Sequence, residues 1–218
     1  MRIPVAAEGW PFIFPPAVAA CILGWTGWWP AAAALGAVAL CFLAFFRDPD
    51  RIAPLVPGAI LAPADGRVMR VVEIDDPWVG RAVRVSIFLS PLDVHVNRSP
   101  VAALVEGVQH EAGRFLAAYR DEASELNERC TLALQGETAR VGVTQIAGVL
   151  ARRIVCRARQ GDKLQAGERY GLIRFGSRTD LVVPRGTEIR VRVGDRVRGG
   201  ETVMGVLNGG VPQRGVLK

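Results

Sequence analysis

The residues with the clearest chemical potential are Gly176 and Ser177, inside the stretch Arg-Phe-Gly-Ser-Arg-Thr-Asp that covers residues 174–180. A serine hydroxyl can attack the carbonyl carbon of the preceding residue and convert that amide into an ester if the backbone is held strained. Glycine best tolerates such a conformation and such a close approach. Elimination and hydrolysis would then leave a pyruvoyl group, whose ketone can condense with an amine and act as an electron sink. An isolated Gly-Ser pair is usually an ordinary turn, so the surrounding sequence decides the interpretation.

His95 and Asp65 are the other candidate reactive side chains. His95 follows an alternating, strand-like segment in a loop rich in polar residues, and histidine exchanges protons readily near neutral pH. Asp65 precedes a glycine in a pair that is also typical of an ordinary turn. Asp93 and Asn97 are candidates to orient His95 by hydrogen bonding, whereas the second histidine, His110, is interpreted as structural.

Composition limits the classes of partner. The 218-residue chain carries a formal net charge of +6, and a basic surface suits an anionic membrane as well as nucleic acid. No nucleic-acid-binding motif accompanies the charge, so no nucleic-acid partner is predicted. The cysteines form neither a CxxC pair nor a dense disulfide framework, which predicts no metal site and favours a protein that faces the cytoplasm. They are Cys21, Cys41, Cys130 and Cys156.

The first part of the chain is strongly apolar, with no charged residue between Trp10 and Phe46. Its uninterrupted run of residues 31–46 would be ~24 Å long as a helix, shorter than a hydrocarbon core of roughly 30 Å. A helical hairpin that turns near residues 25–30 therefore fits the pattern best. Arg2 and Arg47 flank the block and predict that both ends face the cytoplasm. The sequence leaves open whether the hairpin spans the bilayer or enters and returns.

The remainder of the chain favours β-structure with one helix. Residues 111–129 have the amphipathic pattern of a soluble helix. A Gly-Asp turn motif at residues 161–168 recurs at residues 194–201, which predicts two equivalent β-turn-β units. The fold class is therefore mainly β with one or two helices (α+β), a barrel-sandwich-hybrid-like domain behind an N-terminal membrane hairpin.

Taken together, several segments resemble the short form of the phosphatidylserine decarboxylase proenzymes of bacteria and archaea. They occur in the family's order and cover most of the chain after residue 45: residues 45–51, 62–68, 90–100, 127–129, 145–155 and 161–181. The resemblance implies self-cleavage between Gly176 and Ser177, with Ser177 becoming a covalent pyruvoyl cofactor. Asp65 and His95 match active-site positions of the family.

This resemblance also implies an organisation and a setting. Residues 1–46 are expected to form the membrane hairpin and residues 47–218 the catalytic domain, which divides into a β chain, 1–176, and an α chain, 177–218. The substrate implied is phosphatidylserine in an anionic membrane, decarboxylated to phosphatidylethanolamine at the cytoplasmic face of the cell membrane. The α and β chains should remain associated, with a homodimer left open.

One position departs from the family's pattern. Longer bacterial members carry a second histidine three residues after the one that matches His95, and it is usually assigned to self-cleavage. This chain has Arg98 there, and a guanidinium stays protonated in proteins, so it cannot serve as the base. Either His95 serves both steps, or Asp65 and backbone strain suffice for cleavage.

Four alternative functions make different demands on the sequence. A decarboxylase of an ether-lipid serine headgroup or of a soluble amino acid would use the same chemistry, although a soluble substrate needs no apolar anchor. A lipoyl- or biotinyl-like carrier would need a lysine at a hairpin tip, and neither Lys163 nor Lys218 is so placed. An adaptor domain would need long heptad helices, which the sequence lacks.

Overall fold

The uncharged N-terminal block folds into a helical hairpin. We describe a computed structural model that covers residues 3–116, 126–148, 153–174 and 177–207. Helix α1 comprises Trp10–Trp25 and helix α2 comprises Trp29–Phe45. Gly27 adopts a φ of +84° in the connecting turn, a backbone conformation that glycine adopts without steric cost. The predicted turn near residues 25–30 is thereby confirmed.

Both helices of the hairpin are apolar around their whole circumference, and much of that surface is exposed. Trp25 is 92 % exposed at the turn, and Trp28 and Trp29 beside it are about two-thirds exposed (68 % and 69 %). The helical stretch Ala7–Trp25 is long and apolar enough to cross a membrane by length and composition, whereas α2 is shorter. A soluble helix normally has a polar face, so this surface suits an apolar environment. The hairpin belongs to the compact unit Met1–Asp50.

The second unit, Arg51–Lys218, is built from β-strands in its described residues. The strands are β1 Ala59–Leu61, β2 Gly66–Asp76, β3 Gly80–Leu89, β4 Val96–Arg98, β5 Ala103–Glu111, β6 Arg129–Gly136, β7 Arg140–Ile146, β8 Ile154–Cys156, β9 Lys163–Leu164, β10 Arg169–Ile173, β11 Ser177–Pro184, β12 Thr187–Ile189, β13 Arg196–Val197 and β14 Val203–Leu207.

These strands form three sheets in which all pairs of neighbouring strands are antiparallel. An eight-stranded sheet has the order β13-β2-β3-β11-β7-β6-β5-β9. Two three-stranded sheets have the orders β1-β14-β12 and β4-β10-β8. The predicted class, mainly β with two helices, is confirmed.

The internal repeat recurs in the structure as two equivalent units. The Asp162 carboxylate accepts a hydrogen bond from the backbone N–H of Arg159, and Asp195 accepts one from Arg192, both at 2.8 Å. The strands that follow these turns, β9 and β13, pair with β5 and β2 respectively. Strands β8, β9 and β10 of one unit thus correspond to β12, β13 and β14 of the other, which confirms the predicted duplication.

One face of the eight-stranded sheet supplies the core. Side chains alternate between the two faces of each strand, and the inward positions of its central strands carry aliphatic residues. Fully buried examples are Val85, Ile87, Leu132, Val143 and Leu181. Each such side chain contributes roughly 1.5–3 kcal/mol by its removal from water. This core makes the central strands β3, β11 and β7 a stiff support for the residues at their ends.

The prediction of a helix over residues 111–129 is wrong at both of its ends. Glu111 ends strand β5 and Arg129 begins strand β6, where the two residues pair with each other and form an ion pair. Residues 117–125 lie outside the described residues. The residues at both ends of this range form strands, because strand pairing overrides a local helical pattern.

Candidate active site

Ser177 is the first residue of β11, at the end of a central strand of the large sheet. It pairs with Leu89 of β3 and is completely buried. Its hydroxyl oxygen has no hydrogen-bond partner among the described residues, although buried hydroxyls are normally paired. Gly176, the other residue of the expected cleavage site, lies outside the described residues. The Ser177 hydroxyl is therefore shielded from water and not bound to any described residue, which suits a nucleophile directed at a neighbouring carbonyl.

His95 lies between β3 and β4 and is also buried, with 2 % of its surface exposed. Its Nδ1 is 2.9 Å from the backbone oxygen of Asp93. Because a carbonyl oxygen only accepts hydrogen bonds, Nδ1 carries a proton, and Nε2 is the nitrogen whose protonation can change. The main-chain oxygen of His95 accepts a hydrogen bond from Ile173 at 3.2 Å. The first contact holds the imidazole in a defined orientation, as a proton donor requires, and the second holds the main chain of His95.

The expectation that Asp93 and Asn97 orient His95 is met by only one of them. Asp93 does so through its backbone oxygen, while its carboxylate accepts a hydrogen bond from the N–H of Ser90 at 2.8 Å. The Asn97 side chain bonds to other partners, described below, and not to His95.

Asp65 lies between β1 and β2, and its carboxylate is fully engaged. Its two oxygens accept hydrogen bonds from the two terminal nitrogens of Arg51, at 2.5 and 2.7 Å. One of them also accepts the backbone N–H of Gly199 at 2.8 Å. The side chains of both members of the ion pair are largely buried, at 7 % exposed for Arg51 and 13 % for Asp65. Sequence reasoning missed Arg51 as a partner, because nothing in the sequence indicates which of its many arginines meets this aspartate.

Strand register brings Asp65 and Ser177 to the same end of the large sheet. Phe88 of β3 pairs with Arg67 of β2 on one side and with Arg178 of β11 on the other. Asp65 precedes Arg67 by two residues, and Ser177 precedes Arg178 by one. The two candidate residues therefore flank the same end of β3.

Gly66 allows the start of β2, next to Asp65, to lie close to the backbone of β3. A Cβ atom built on Gly66 would lie 2.1 Å from the backbone oxygen of Phe88, and its φ of +149° is also one that other residues avoid. A glycine is therefore required between Asp65 and β2, and the Asp-Gly pair is more than a surface turn.

His95 joins this end of the sheet through β10. The hydrogen bond from Ile173 ties His95 to the last residue of β10, and the chain then runs through residues 174–176 into Ser177. The described residues on the two sides of the expected cleavage site thus belong to the end of β10, which contacts His95, and to the start of β11. The structure brings the three predicted residues, His95, Asp65 and Ser177, to one region of the backbone.

A buried network of side-chain amides and a hydroxyl lies on the Ser177 face of β11. Asn97 donates from Nδ2 to the hydroxyl oxygen of Thr179 at 3.1 Å, and its Oδ1 accepts from Nε2 of Gln145 at 2.8 Å. Nδ2 of Asn97 also lies 3.5 Å from the oxygen of Pro63, and Nε2 of Gln145 lies 3.5 Å from that of Val155. These carbonyl groups determine which end of each amide carries the nitrogen. Oε1 of Gln145 is left buried without a partner among the described residues.

The opposite face of β11 holds a buried ion pair. Arg178 is 2 % exposed and donates from Nε to Asp180 at 2.6 Å, while one of its terminal nitrogens donates to the Ser86 hydroxyl, also at 2.6 Å. A buried charge pair of this kind is strongly destabilising to break, because one charge is left uncompensated. Strand β11 is thus fixed on both faces immediately after Ser177. The alternation of Ser177 and Arg178 along a strand could have suggested this arrangement.

Arg98, which stands where longer relatives have histidine, is buried in the repeated turn region. A terminal nitrogen of its guanidinium donates to the backbone oxygen of Gly167 at 3.0 Å, and its aliphatic part lies against Gly200. Gly167 and Gly200 are equivalent positions of the internal repeat. The structure therefore gives Arg98 a packing role between the two repeated units.

Two cysteines and a tyrosine form a further buried group. A hydrogen bond with Cys156, reinforced by burial, raises the pKa of the Cys130 thiol well above its ordinary range, and the same bond lowers the pKa of Cys156. Nε2 of His110 lies 3.3 Å from the sulfur of Cys130. Burial, together with the nearby thiols, raises the pKa of Tyr170 well above 10. Among the described residues, no group of three or more His, Cys, Asp or Glu side chains could hold a metal ion.

Tyr170→Phe is expected to make the folded protein more tolerant of alkali. The hydroxyl of Tyr170 is buried without a partner among the described residues, so its removal should raise the free energy of unfolding by about 1 kcal/mol at neutral pH. In the wild type, the unfolded tyrosine ionises near pH 10 while the folded one stays protonated, so stability declines above about pH 10. Urea unfolding at pH 8 and pH 10.5 measures both effects. A larger loss of stability in the variant than in the wild type at the higher pH would contradict this interpretation.

Comparison with known proteins assigns the family. Residues 38–205 match the model of the phosphatidylserine decarboxylase family. The chain is 49 % identical over 211 residues to the phosphatidylserine decarboxylase proenzyme of Symbiobacterium thermophilum, covering 95 % of this chain and 98 % of that one. It is 46 % identical over 211 residues to that of Nocardia farcinica (94 % and 88 %), and 43 % identical over 202 residues to that of Nitrosomonas eutropha (92 % and 94 %). The chain therefore belongs to the phosphatidylserine decarboxylase family and is a decarboxylase.

Proposed function

We propose that this protein decarboxylates phosphatidylserine to phosphatidylethanolamine, using a pyruvoyl group that the chain makes from its own Ser177. The observation that carries the proposal is the buried hydroxyl of Ser177 at the start of β11, which has no hydrogen-bond partner within the described ranges, in a chain whose relatives are named proenzymes. A serine converted at this position would remain at the end of a central strand, shielded from water. The residues present therefore fit the group.

Formation of the group begins with attack of the Ser177 Oγ on the carbonyl carbon of Gly176, which moves the acyl group from nitrogen to oxygen and leaves an ester. Loss of a proton from the Ser177 α-carbon expels the Gly176 carboxylate and leaves a dehydroalanine. Water then hydrolyses the dehydroalanine, which releases ammonia and leaves the pyruvoyl group at the new N-terminus. No oxidant or reductant is required, because the electrons released at the α-carbon are retained by the new double bond.

The finished group would supply an electron sink, a ketone that withdraws the electron pair left on the α-carbon of an amine-bearing substrate when the carboxylate departs. The residues of the chain supply protons and orientation. His95, held by its Nδ1 contact with Asp93, donates a proton from Nε2 to the substrate's α-carbon. Asp65, at the same end of the sheet as Ser177, assists self-cleavage. We thus assign the two candidate residues to two separate steps.

Strand pairing supports continued association of the two chains after cleavage. The α chain would contain β11, which lies between β3 and β7 of the β chain. Two of its other strands also pair with the β chain, β13 with β2 and β14 with β1. Separation of the chains would therefore break both the largest sheet and one of the small ones.

The N-terminal hairpin would anchor residues 47–218 at the cytoplasmic face of the cell membrane, where the headgroup of phosphatidylserine lies. The exposed apolar surface of Ala7–Trp25 and of α2 supports this assignment. The positive residue Arg47, next to the end of α2, favours a cytoplasmic position for that end.

Full-length protein is expected to sediment with membranes and to resist extraction by high salt or carbonate, because burial of apolar surface is not screened as charge is. A variant that lacks residues 1–46 is the matched control and should be released into the supernatant. Full solubility of the intact protein without detergent would contradict the anchor and favour a soluble amino acid as substrate.

The activity itself is tested with purified protein and phosphatidylserine in detergent micelles, by measuring released carbon dioxide together with phosphatidylethanolamine. Parallel reactions contain free serine and a serine headgroup on an ether lipid. We expect turnover of phosphatidylserine. Turnover of free serine alone would contradict the proposed substrate.

A further inference from the structure

Asn97 connects the three segments that carry the candidate reactive residues. It follows His95 by two residues and is completely buried. Pro63, whose backbone oxygen lies 3.5 Å from the Asn97 side-chain nitrogen, precedes Asp65 by two residues. Thr179, whose hydroxyl accepts a hydrogen bond from the same nitrogen at 3.1 Å, follows the proposed nucleophile by two residues. One carboxamide therefore bonds to all of the backbone segments that the reaction must hold in place.

From this arrangement we propose that Asn97 is a positioning residue for self-cleavage, acting through its hydrogen bond to Thr179. Residues two apart on a strand lie on the same face, so the Asn97–Thr179 bond is made on the face of β11 to which Ser177 belongs. This bond fixes the start of β11 relative to β4, the strand that follows His95. The inference rests on the proposed function and adds a residue and a contact to it.

The carboxamide is suited to this role because it donates and accepts at once. Oδ1 of Asn97 accepts from Gln145 of β7, the strand on the other side of β11 from β3. The bond fixes the rotation of the amide, so that its nitrogen faces Thr179 and Pro63. An aliphatic side chain of similar size would leave the buried nitrogen of Gln145 with only its longer, 3.5 Å contact to the Val155 oxygen, and loss of a buried hydrogen bond is costly.

After cleavage, the same contact would join two chains. Asn97 would belong to the β chain and Thr179 to the α chain, three residues into it. The new terminus at residue 177 would no longer be held by a peptide bond to Gly176. Strand pairing and the Asn97–Thr179 bond would then keep that terminus at the end of β3.

Thr179→Val is the most selective test, because it removes the hydroxyl and retains the shape of the side chain. The first-order rate constant of self-cleavage is measured on pulse-labelled protein made by cell-free translation. We expect that rate constant to fall about 10- to 100-fold, the effect of a small displacement of a reacting group. Thr179→Ser retains the hydroxyl and should restore a rate constant near that of the wild type. Asn97→Ala should slow cleavage at least as much as Thr179→Val.

Thr144→Val is the matched control. The hydroxyl of Thr144 makes a 3.1 Å hydrogen bond to that of Thr131, so the same substitution breaks a bond of the same length on the adjacent strand. Thr144 pairs with Asp180 and thus lies on the opposite face of the sheet from Ser177. Its rate constant should stay within about two-fold of the wild type.

The rate constant separates positioning from folding. Chains that never reach the folded state lower the final extent of cleavage, whereas a displaced nucleophile lowers the rate constant of the molecules that do cleave. A wild-type rate constant in Thr179→Val would overturn the inference, and so would equal slowing by Thr144→Val. If the wild-type chain itself is never cleaved, the proposed function fails and the inference fails with it. If the wild type and Thr179→Val are cleaved at the same rate, the inference fails and the proposed function stands.

Discussion

Ser177→Ala is expected to remain a single chain of 218 residues with no measurable decarboxylation. Alanine offers no nucleophile to the Gly176 carbonyl, so neither the ester nor the product derived from it can form. The Ser177 hydroxyl has no hydrogen-bond partner among the described residues, so its removal should leave the fold intact. A denaturing gel beside an assay of carbon dioxide release from phosphatidylserine measures both outcomes.

Thr187→Val is the control for Ser177→Ala. Thr187 also carries a buried hydroxyl without a partner among the described residues, and it lies in β12 of the same proposed α chain. It should be cleaved and active like the wild type. Cleavage after residue 176 in Ser177→Ala would contradict the account, because another group would then have to break that bond.

His95→Ala is expected to be cleaved normally and yet to decarboxylate poorly. Loss of a general acid lowers a rate by roughly 10²- to 10⁴-fold, so the loss should be large without being total. A time course of chain cleavage beside carbon dioxide release separates the two steps. His110→Ala is the control, because His110 is the other of the two histidines and is exposed to solvent. That variant should behave like the wild type in both measurements.

Two outcomes would contradict the role given to His95. Normal decarboxylation by His95→Ala would remove its assignment as the proton donor. Accumulation of uncleaved His95→Ala would show that His95 also takes part in self-cleavage, in place of the separate assignment of that step to Asp65.

Asp65 needs a gentler substitution than alanine for the companion experiment. Removal of its carboxylate would break the buried ion pair with Arg51, which typically costs about 3–5 kcal/mol and would confound cleavage with unfolding. Asp65→Asn removes the charge and retains an oxygen that can accept the N–H of Gly199. Slow cleavage with a retained fold is expected, and a wild-type rate would limit Asp65 to a structural role.

The sequence predicted the helical hairpin and the repeated β units, because both depend on residues that are close together in the chain. The uncharged block predicted the hairpin, because charge exclusion and a turn between apolar runs act within a few residues. The repeated Gly-Asp motif predicted the paired β units, since equal turn chemistry at residues 161–168 and 194–201 imposes equal geometry. The two ends of the helix expected over residues 111–129 belong instead to β5 and β6. A helical period in the sequence does not reveal that these two strands pair.

The candidate site was predictable as a set of reactive residues and not as a set of contacts. Ser177, His95 and Asp65 were indicated by residue type and by family resemblance. The contacts around them depend on strand register between segments far apart in sequence, as in the bond between Asn97 and Thr179. The partnership of Arg51 with Asp65 has the same origin. Such contacts follow only after the sheet order is known.

The intact mass of the purified, denatured protein tests the central claim most directly. The account predicts two chains, residues 1–176 and 177–218, and a shorter chain that is lighter by one ammonia than simple hydrolysis of the Gly176–Ser177 bond would give. The N-terminus of that chain should also be blocked to sequential degradation. An active preparation that consists of one full-length chain with an unmodified Ser177 would contradict the account.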